Sequence, residues 1–343
     1  MAGTKTLRGE TTLRYLQDKR YEHLPNLAVA RIIYEENKAL YPTLESARAN
    51  VRYYRGQHGD HNRMNVKTPL EVHGKGHFAI QLGVSNPFGL PDSDEDEWPP
   101  FDIAKGIRRL GIMSDVHIPY HNISAVTSAI EHFKKVSVDG ILLNGDIMDF
   151  YMLSRFDKDP RKRRFSEELE MGREFLKIIR REFEGCPMYY KLGNHEVRFE
   201  SYMRSKAPEL LGMPEYQIDK LLHFGEHDVV LIQDDRIIKA GQLSILHGHE
   251  FGRSIFSPVN PARGAYMRAK ENVIVGHHHQ TSSHMEKSLG GDVVGAWSVG
   301  CLCEMYPAYA RINKWNHGFA VVDIDTDGSF EVSNHTIIKG KVR

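Results

Sequence analysis

The stretch Ile107-Arg108-Arg109-Leu110-Gly111-Ile112-Met113, followed by Ser114-Asp115-Val116-His117, decides how this chain is read. The segment up to Met113 has the character of a strand, and Ser114 to His117 is the loop it runs into. On an extended chain, residues two apart point to the same side, which predicts that Asp115 and His117 project together. A carboxylate and an imidazole held in that way make half of a divalent-metal site. The pair alone is weak, because Asp-x-His arises by chance in many chains. Its weight comes from four later blocks in a fixed order: Gly145-Asp146, Gly193-Asn194-His195-Glu196, His247-Gly248-His249 and Gly276-His277-His278-His279, each closing another strand-like run.

Composition sets the outer bounds. At 343 residues, 41% hydrophobic and 26% charged, the chain has the make-up of a soluble globular protein with room for two domains. Lys and Arg number 45, as do Asp and Glu, so no global field draws the chain to nucleic acid or a membrane. Cys186, Cys301 and Cys303 make no disulfide framework and are read as structural residues in a reducing compartment. No apolar stretch reaches the roughly 18 residues of a membrane span, and the start of the sequence lacks a secretory h-region. The 19 histidines are the anomaly, since many sit beside glycine at strand ends, where ligation explains them better than packing.

Residues 1–59 read as a small helical domain. Leu27, Val29, Ala30, Ile33 and Tyr34 give residues 24–41 a buried-helix pattern, and Thr43 is the expected N-cap of the next helix. That helix carries an apolar face of Leu44, Ala47, Val51 and Tyr54 and a basic stripe of Arg48, Arg52 and Arg55. A short basic helix after a tight turn resembles the second helix of a helix-turn-helix, so these arginines are the expected nucleic-acid contacts. Residues 1–75 hold 13 basic against 8 acidic side chains, a local balance of +5. A solvated helix face is the competing explanation. Residues 60–106 read as a connector with a possible strand at 78–82 and an acidic loop at 92–97. From 107 the pattern alternates strand and helix: strands at 107–113, 140–143 and 188–192, with helices at 124–136 and 166–183 between them. Beyond Asp228 helices largely stop, and strands at 229–232, 237–240, 243–246, 273–275, 293–299, 319–324 and 330–333 suggest a mostly antiparallel second sheet facing the first.

Hard or borderline divalent ions take oxygen and imidazole nitrogen. Asp115, His117, Asp146, Asn194, His247, His277 and His279 are too many for one tetrahedral ion and suit two octahedral ones completed by water. These five blocks, with Asp149 completing Gly-Asp-x-x-Asp, resemble those of the calcineurin-like metallophosphoesterase superfamily over about residues 108–338. The resemblance implies an α/β four-layer metallophosphoesterase fold, two facing mixed β-sheets flanked by helices, spanning 107–343 beside the small N-terminal helical domain. It implies two divalent ions, one held by Asp115, His117, Asp146 and His279 and the other by Asn194, His247 and His277, with Asp146 bridging. Two such cations, about 3.5–4 Å apart, could share a hydroxide that would attack phosphorus in line. His195 would then stabilise the phosphoryl charge or protonate the leaving group, while Asp149 and Glu196 orient ligands. His121 and Arg198, close to their blocks, are expected substrate contacts; His249 and His278 are expected to pack.

Ligands without thiolate suit Mn²⁺, Fe or Zn²⁺. The resemblance implies a phosphate-ester substrate, and basic residues lean the expectation toward a phosphodiester in DNA or RNA: the N-terminal stripe, then Arg155, Lys158, Arg161, Lys162, Arg163 and Arg164, then Arg253, Arg263 and Arg268 with Tyr266. A phosphomonoesterase for nucleotides or phosphoproteins is one alternative, and a DNA-binding regulatory protein with a structural metal centre is another. A helix-turn-helix-like unit joined to this domain also resembles proteins of phages and bacteria, so a cytoplasmic place in a bacterium or phage-infected cell is expected, with no membrane partner.

Overall fold

The computed structural model describes residues 6–21, 26–55, 99–103, 106–155, 164–233, 235–252, 259–307 and 309–343. The possible strand at 78–82, the acidic loop at 92–97, Lys158, residues 161–163 and Arg253 lie outside the described residues. The chain divides into two compact units, residues 1–98 and 99–343.

The first unit is built on α1 (Leu7–Leu16), α2 (Asn26–Glu36) and α3 (Leu44–Tyr54). Their apolar faces meet in a core of Leu13, Leu16, Val29, Ile33, Ala47 and Val51. Thr43 caps α3 as expected, its Oγ1 accepting from the Ser46 amide at 3.1 Å while Ser46 Oγ accepts from the Thr43 amide at 3.3 Å. The helix predicted over 24–41 ends at Glu36 instead. The reason is polar: Asn37 Nδ2 turns back to the Ile33 carbonyl, and Tyr41 Oη is drawn into the core between Thr12 Oγ1 and the Arg8 carbonyl, both at 2.7 Å. The α2–α3 connection, residues 37–43, is therefore longer than the three or four residues of a helix-turn-helix turn. Arg55 is not presented outward, because its guanidinium donates to Asn26 Oδ1 and the Tyr21 carbonyl and ties the unit together. Arg48 pairs with Glu45 at 3.3 Å, and Arg52 is half-buried.

In the second unit, β1 (Phe101–Asp102), β2 (Arg109–Met113), β3 (Gly140–Asn144), β4 (Met188–Lys191), β5 (Val229–Ile232), β6 (Ile238–Ala240) and β7 (Leu243–Leu246) come first. They are followed by β8 (Val273–Val275), β9 (Ser282–Lys287), β10 (Val293–Ser298), β11 (His317–Ile324), β12 (Phe330–Ile338) and β13 (Lys341–Val342). One sheet runs β13-β12-β11-β2-β3-β4-β5 and the other β1-β6-β7-β8-β10-β9. Side chains alternate across them. Leu110, Ile112, Leu142, Ile245, Ile274, Ala320 and Val322 fill the layer between the sheets. Met113, Ile141, Leu143, Phe319 and Val321 face the opposite way. There α4 (Ile123–Val136), α5 (Phe165–Glu182) and α6 (Val197–Lys206) contribute Phe133, Phe175, Leu176, Ile179 and Phe199 to the same core. A four-residue turn, α7 (Ile218–Leu221), adds Ile218, and α8 (Pro261–Ala269) covers Val273 and Val275 on the outer face of the second sheet. Each fully buried aliphatic side chain contributes roughly 1.5–3 kcal/mol.

The expected antiparallel second sheet is corrected in two ways. Pairs β1–β6, β7–β8 and β8–β10 are parallel, and only β6–β7 and β9–β10 are antiparallel. The last long strands cross over, so that β11 pairs with β2 and brings β12 and β13 into the first sheet. Strand β9 and helix α8 are also absent from the sequence expectation, since β9 buries too little for an apolar signature.

The carboxyl ends of β2, β3 and β4 lie side by side in parallel register, as do those of β7 and β8. A buried ion pair joins the two sets. Lys191 Nζ, fully buried at the end of β4, lies 3.0 Å from Glu250 Oε1 and donates to the Arg236 carbonyl at 2.8 Å. Glu250 in turn accepts the amides of His247 and Gly248 beyond β7. Burial opposes its ionisation, but Lys191 and the nearby histidines bring its pKa down to about 2. Lys191→Met leaves that carboxylate unpaired in the interior and is expected to cost about 3–5 kcal/mol. Lys191→Met with Glu250→Gln removes the charge while keeping one acceptor oxygen for the His247 and Gly248 amides, and should recover part of the loss. Urea denaturation of both variants measures the difference.

Candidate metal centre

Five loops meet where these strands end. The Asp115 amide donates to the Gly145 carbonyl at 3.1 Å and the His117 amide to the Asp146 carbonyl at 2.9 Å. Gly276 N donates to the His247 carbonyl, and His277 N to Asp115 Oδ2 at 2.9 Å. Asn144 links the sheets directly, with Nδ2 on the Leu246 carbonyl and its own carbonyl 2.8 Å from His247 Nδ1.

The backbone here is strained. Asp115, His117, Asp146, His277 and His279 all have positive φ, between 50° and 65°. Asp115 and His117 therefore do not share a side through strand pleating, as the sequence suggests. Each sits in a left-handed bend after β2 has ended, a conformation costing of order 1–3 kcal/mol per residue and kept only where the surroundings enforce it. At Asp146 the enforcing group is Glu196. Its two oxygens accept the amides of Asp146, Ile147, Met148 and Gly193 and the hydroxyl of Tyr190, at 2.8–2.9 Å. Both Glu196 oxygens are thus taken up by four amides and the Tyr190 hydroxyl, which suits it to orienting this loop rather than to meeting an ion or a substrate.

Around Asp146 the expected ligands converge. His247 Nε2 lies 3.3 Å from Asp146 Oδ2 and His117 Nε2 3.9 Å from it, while His279 Nε2 is 3.2 Å from Asp115 Oδ1. Candidate ligand atoms of Asp115, His117 and Asp146 all fall within 4.8 Å of one another, and so do those of Asp146, His247 and His277. Asp146 belongs to both groups. Neighbours set the imidazole tautomers: His247 Nδ1 donates to the Asn144 carbonyl, and His117 Nδ1 faces Asp149 Oδ1 at 3.1 Å. Each ring so presents Nε2 to the centre. Asp115 Oδ1, Asn194 Oδ1, His247 Nε2 and His277 Nδ1 are buried with no hydrogen-bond partner. Orphaned oxygen and nitrogen donors beside two buried carboxylates fit a pair of divalent cations.

The electrostatics agree. Burial works against ionisation of Asp146, but His195 and His247 hold its carboxyl well below the usual range. Burial likewise opposes charge on His247, yet Asp146 raises its pKa to about 10. A cation between them would take over that neutralising role and expel the proton. Burial and the neighbouring His247 push His277 down to about 3, so it stays neutral.

His195 stands at the mouth, its ring edge-on to His117 at 4.4 Å between centroids. Its Nδ1 lies 2.9 Å from the Asp149 carbonyl and 3.1 Å from Asp149 Oδ1, and Arg198 donates to its Nε2 and to the Asp149 carbonyl. Arg198 therefore positions His195. Burial would raise Asp149, but hydrogen bonds from His117 and His195 hold it below the usual range. His121 is half-buried, bridges to Cys303 and joins neither ligand group. His249 faces Asp235 at 3.4 Å, and the His278 ring packs 5.1 Å from that of His277.

Sequence reasoning left out two side chains. Cys303, taken as structural, has Sγ 3.9 Å from His279 Nδ1 and groups with His117 and His279, where its position two residues from Cys301 gave no hint. Glu168 of α5, 1% exposed, accepts the amide of Phe150, another residue of positive φ, directly beside Asp149.

Residues 109–327 match the family model described as the calcineurin-like phosphoesterase superfamily domain. The Gene 54 protein of Mycobacterium phage L5 is 30% identical over 232 residues, covering 64% of this chain and 89% of that protein. A single mutant of Vps29 from Entamoeba histolytica is similar at 13% identity and a TM-score of 0.37, over 68% of this chain and 96% of that one. A dimetal phosphatase from Danio rerio is similar at 12% identity and a TM-score of 0.33, over 66% and 96% of the two chains.

A Cβ on Gly193 would stand 2.3 Å from Asp146 Oδ1 and 2.4 Å from its amide. Gly193→Ala is expected to displace the Asp146 carboxylate and lower the metal content of the folded protein, read by elemental analysis. Burial raises the Glu168 carboxyl from 4.5 to about 8, despite the Phe150 amide. The folded protein thus keeps a proton that the unfolded chain releases, so this group's stability is full below pH 4.5 and declines as pH rises to about 8. Glu168→Gln should flatten that decline, on the order of a few kcal/mol, in thermal unfolding followed against pH.

Proposed function

Because the chain belongs to the calcineurin-like phosphoesterase superfamily and is a metal-dependent phosphoesterase, we propose that it is a two-metal phosphodiesterase acting on DNA or RNA. The observation that carries the two-metal part is Asp146, whose carboxylate belongs to both groups of candidate ligand atoms. Asp115, His117 and His279 would hold one ion with it, and Asn194, His247 and His277 the other. When bound, such a pair supplies Lewis acidity at the phosphoryl group and a hydroxide nucleophile near neutral pH.

The chain's own groups do the rest. Asp149 fixes the rings of His117 and His195 with one carboxylate oxygen. Arg198, held by the Asp149 carbonyl, offers its guanidinium to a phosphoryl oxygen; turning to it would release His195 Nε2, which in the protonated imidazolium would give its proton to the leaving oxygen. Support for a nucleic-acid substrate comes from exposed Arg155, Arg164, Arg263 and Arg268 and from the relative in a phage. Arg52 and Arg48 of the N-terminal unit would add phosphate contacts, whereas Arg55 is committed to its own fold.

With Mn²⁺ supplied, bis(p-nitrophenyl) phosphate should be hydrolysed with higher kcat/KM than p-nitrophenyl phosphate, and DNA or RNA should be cut. Asp146→Asn is expected to lower kcat by about 10³-fold, close to 4 kcal/mol of barrier. A preference for the monoester would assign the chain to phosphomonoesterases. Failure of both esters together with full DNA binding by Asp146→Asn would leave a binding protein with a structural metal centre.

A further inference from the structure

A cleft of about 250 Å³ opens beside the carboxylate and imidazole cluster, with His117 and Asp149 on its inner wall. Its other walls include Tyr120, Tyr151, Tyr309 and Trp315, with Glu304 also on the lining. The rings stand as two edge-on pairs: Tyr120 with Tyr151 at 6.5 Å between centroids, and Tyr309 with Trp315 at 6.4 Å. Trp315 also packs on His279 at 4.1 Å, so one wall of the cleft rests directly on a candidate metal ligand.

The loop that supplies this wall, between β10 and β11, is fastened in place. Asn313 Nδ2 donates to the carbonyls of Met305 and Ala310, and Asn313 Oδ1 accepts the Trp315 amide at 2.9 Å. The Glu304 amide donates to the Tyr120 carbonyl at 2.8 Å, and the Tyr120 amide to the His117 carbonyl at 2.6 Å. Yet its aromatic side chains are not packed away: Tyr306 is 64% and Tyr309 78% exposed, and Arg311 and Lys314 are exposed on the same segment. Proton transfer and ion binding use none of these rings. Holding large aromatic faces out to water on a pinned loop is a recognition device rather than a core.

The occupant is constrained from three sides. The inner wall is shared with His117 and Asp149, so whatever fills the cleft is part of the molecule whose phosphate lies at the centre. The volume is below the roughly 300–1,000 Å³ of a drug-sized pocket, which suits one planar ring system. Arg311 and Lys314 favour a polyanion running on past the cleft. Bases in a duplex are stacked inside and cannot enter, whereas an unpaired base offers both faces to aromatic side chains.

We propose that this cleft is a base-stacking subsite that takes the nucleobase next to the scissile phosphate and selects single strands over duplexes. The proposal rests on the phosphodiesterase assignment under Proposed function. The test uses the full-length Mn²⁺-loaded protein and single-stranded DNA with one tetrahydrofuran abasic residue, with cleavage mapped at each phosphate. The phosphate adjoining the missing base is expected to be cut roughly 5- to 150-fold more slowly than in the intact oligonucleotide, the range that loss of one base stack gives. Tyr309→Ala and Trp315→Ala should each shrink that difference towards one, and Tyr309→Phe should retain it, because the ring and not the hydroxyl stacks. Tyr309 is mostly exposed, so its substitution tests the cleft without unfolding the chain. Equal cutting at the abasic and intact positions, or duplex cut as fast as single strand, overturns the subsite alone. If bis(p-nitrophenyl) phosphate is hydrolysed while every oligonucleotide survives, the nucleic-acid assignment falls as well. A phosphotyrosine peptide preferred over both would reassign the cleft to a protein side chain.

Discussion

The structure depends on one buried carboxylate that is not itself among the candidate ligands. Glu196 gathers the amides of Asp146, Ile147, Met148 and Gly193 and the hydroxyl of Tyr190 on two oxygens. Charge-assisted hydrogen bonds of this kind are about twice as strong as neutral ones. Together they force the turn after β3 into the left-handed bend that swings Asp146 between the two ligand groups. Without that bend the carboxylate would follow the strand and point to one sheet only. Gly193 completes the constraint, since its missing side chain leaves the space that Asp146 fills.

Strand positions were legible because β2, β3, β7 and β8 are buried on both faces, which makes each a continuous apolar run. The candidate ligands were legible too, since aspartate, asparagine and histidine beside glycine at strand ends have few other uses. The way these side chains converge was not. Asp115 and His117 were matched by a two-residue period that the backbone does not follow there, because positive φ leaves no mark in composition. Sheet membership was equally hidden: β11 returns to pair with β2 across some two hundred residues, and nothing local encodes that choice.

Charged residues with supporting roles escaped for a different reason. Lys191, Glu168 and Glu250 look like surface residues in any composition-based reading, because such groups are almost never buried unless paired. Their partners, a backbone amide or an ion pair from a distant loop, exist only once the fold has formed. Arg55 shows the reverse. A basic stripe on a helix suggested a contact for nucleic acid, and the guanidinium instead closes the small helical unit on Asn26 and Tyr21. The spacing of charges along a helix does not say which of them the fold keeps for itself.

The division of the candidate ligands has a consequence for the life of the protein in a cell. Asp115, His117, Asp146 and Asn194 come from loops of one sheet, while His247, His277 and His279 come from the other, so each bound cation is a rivet through the sandwich. Any ion that binds only the assembled state deepens the folded well by mass action. Nutritional scarcity of that element would then do more than idle the enzyme. It would loosen the two halves, expose the protein to proteolysis and shorten its lifetime, so that abundance would follow mineral supply as closely as turnover does.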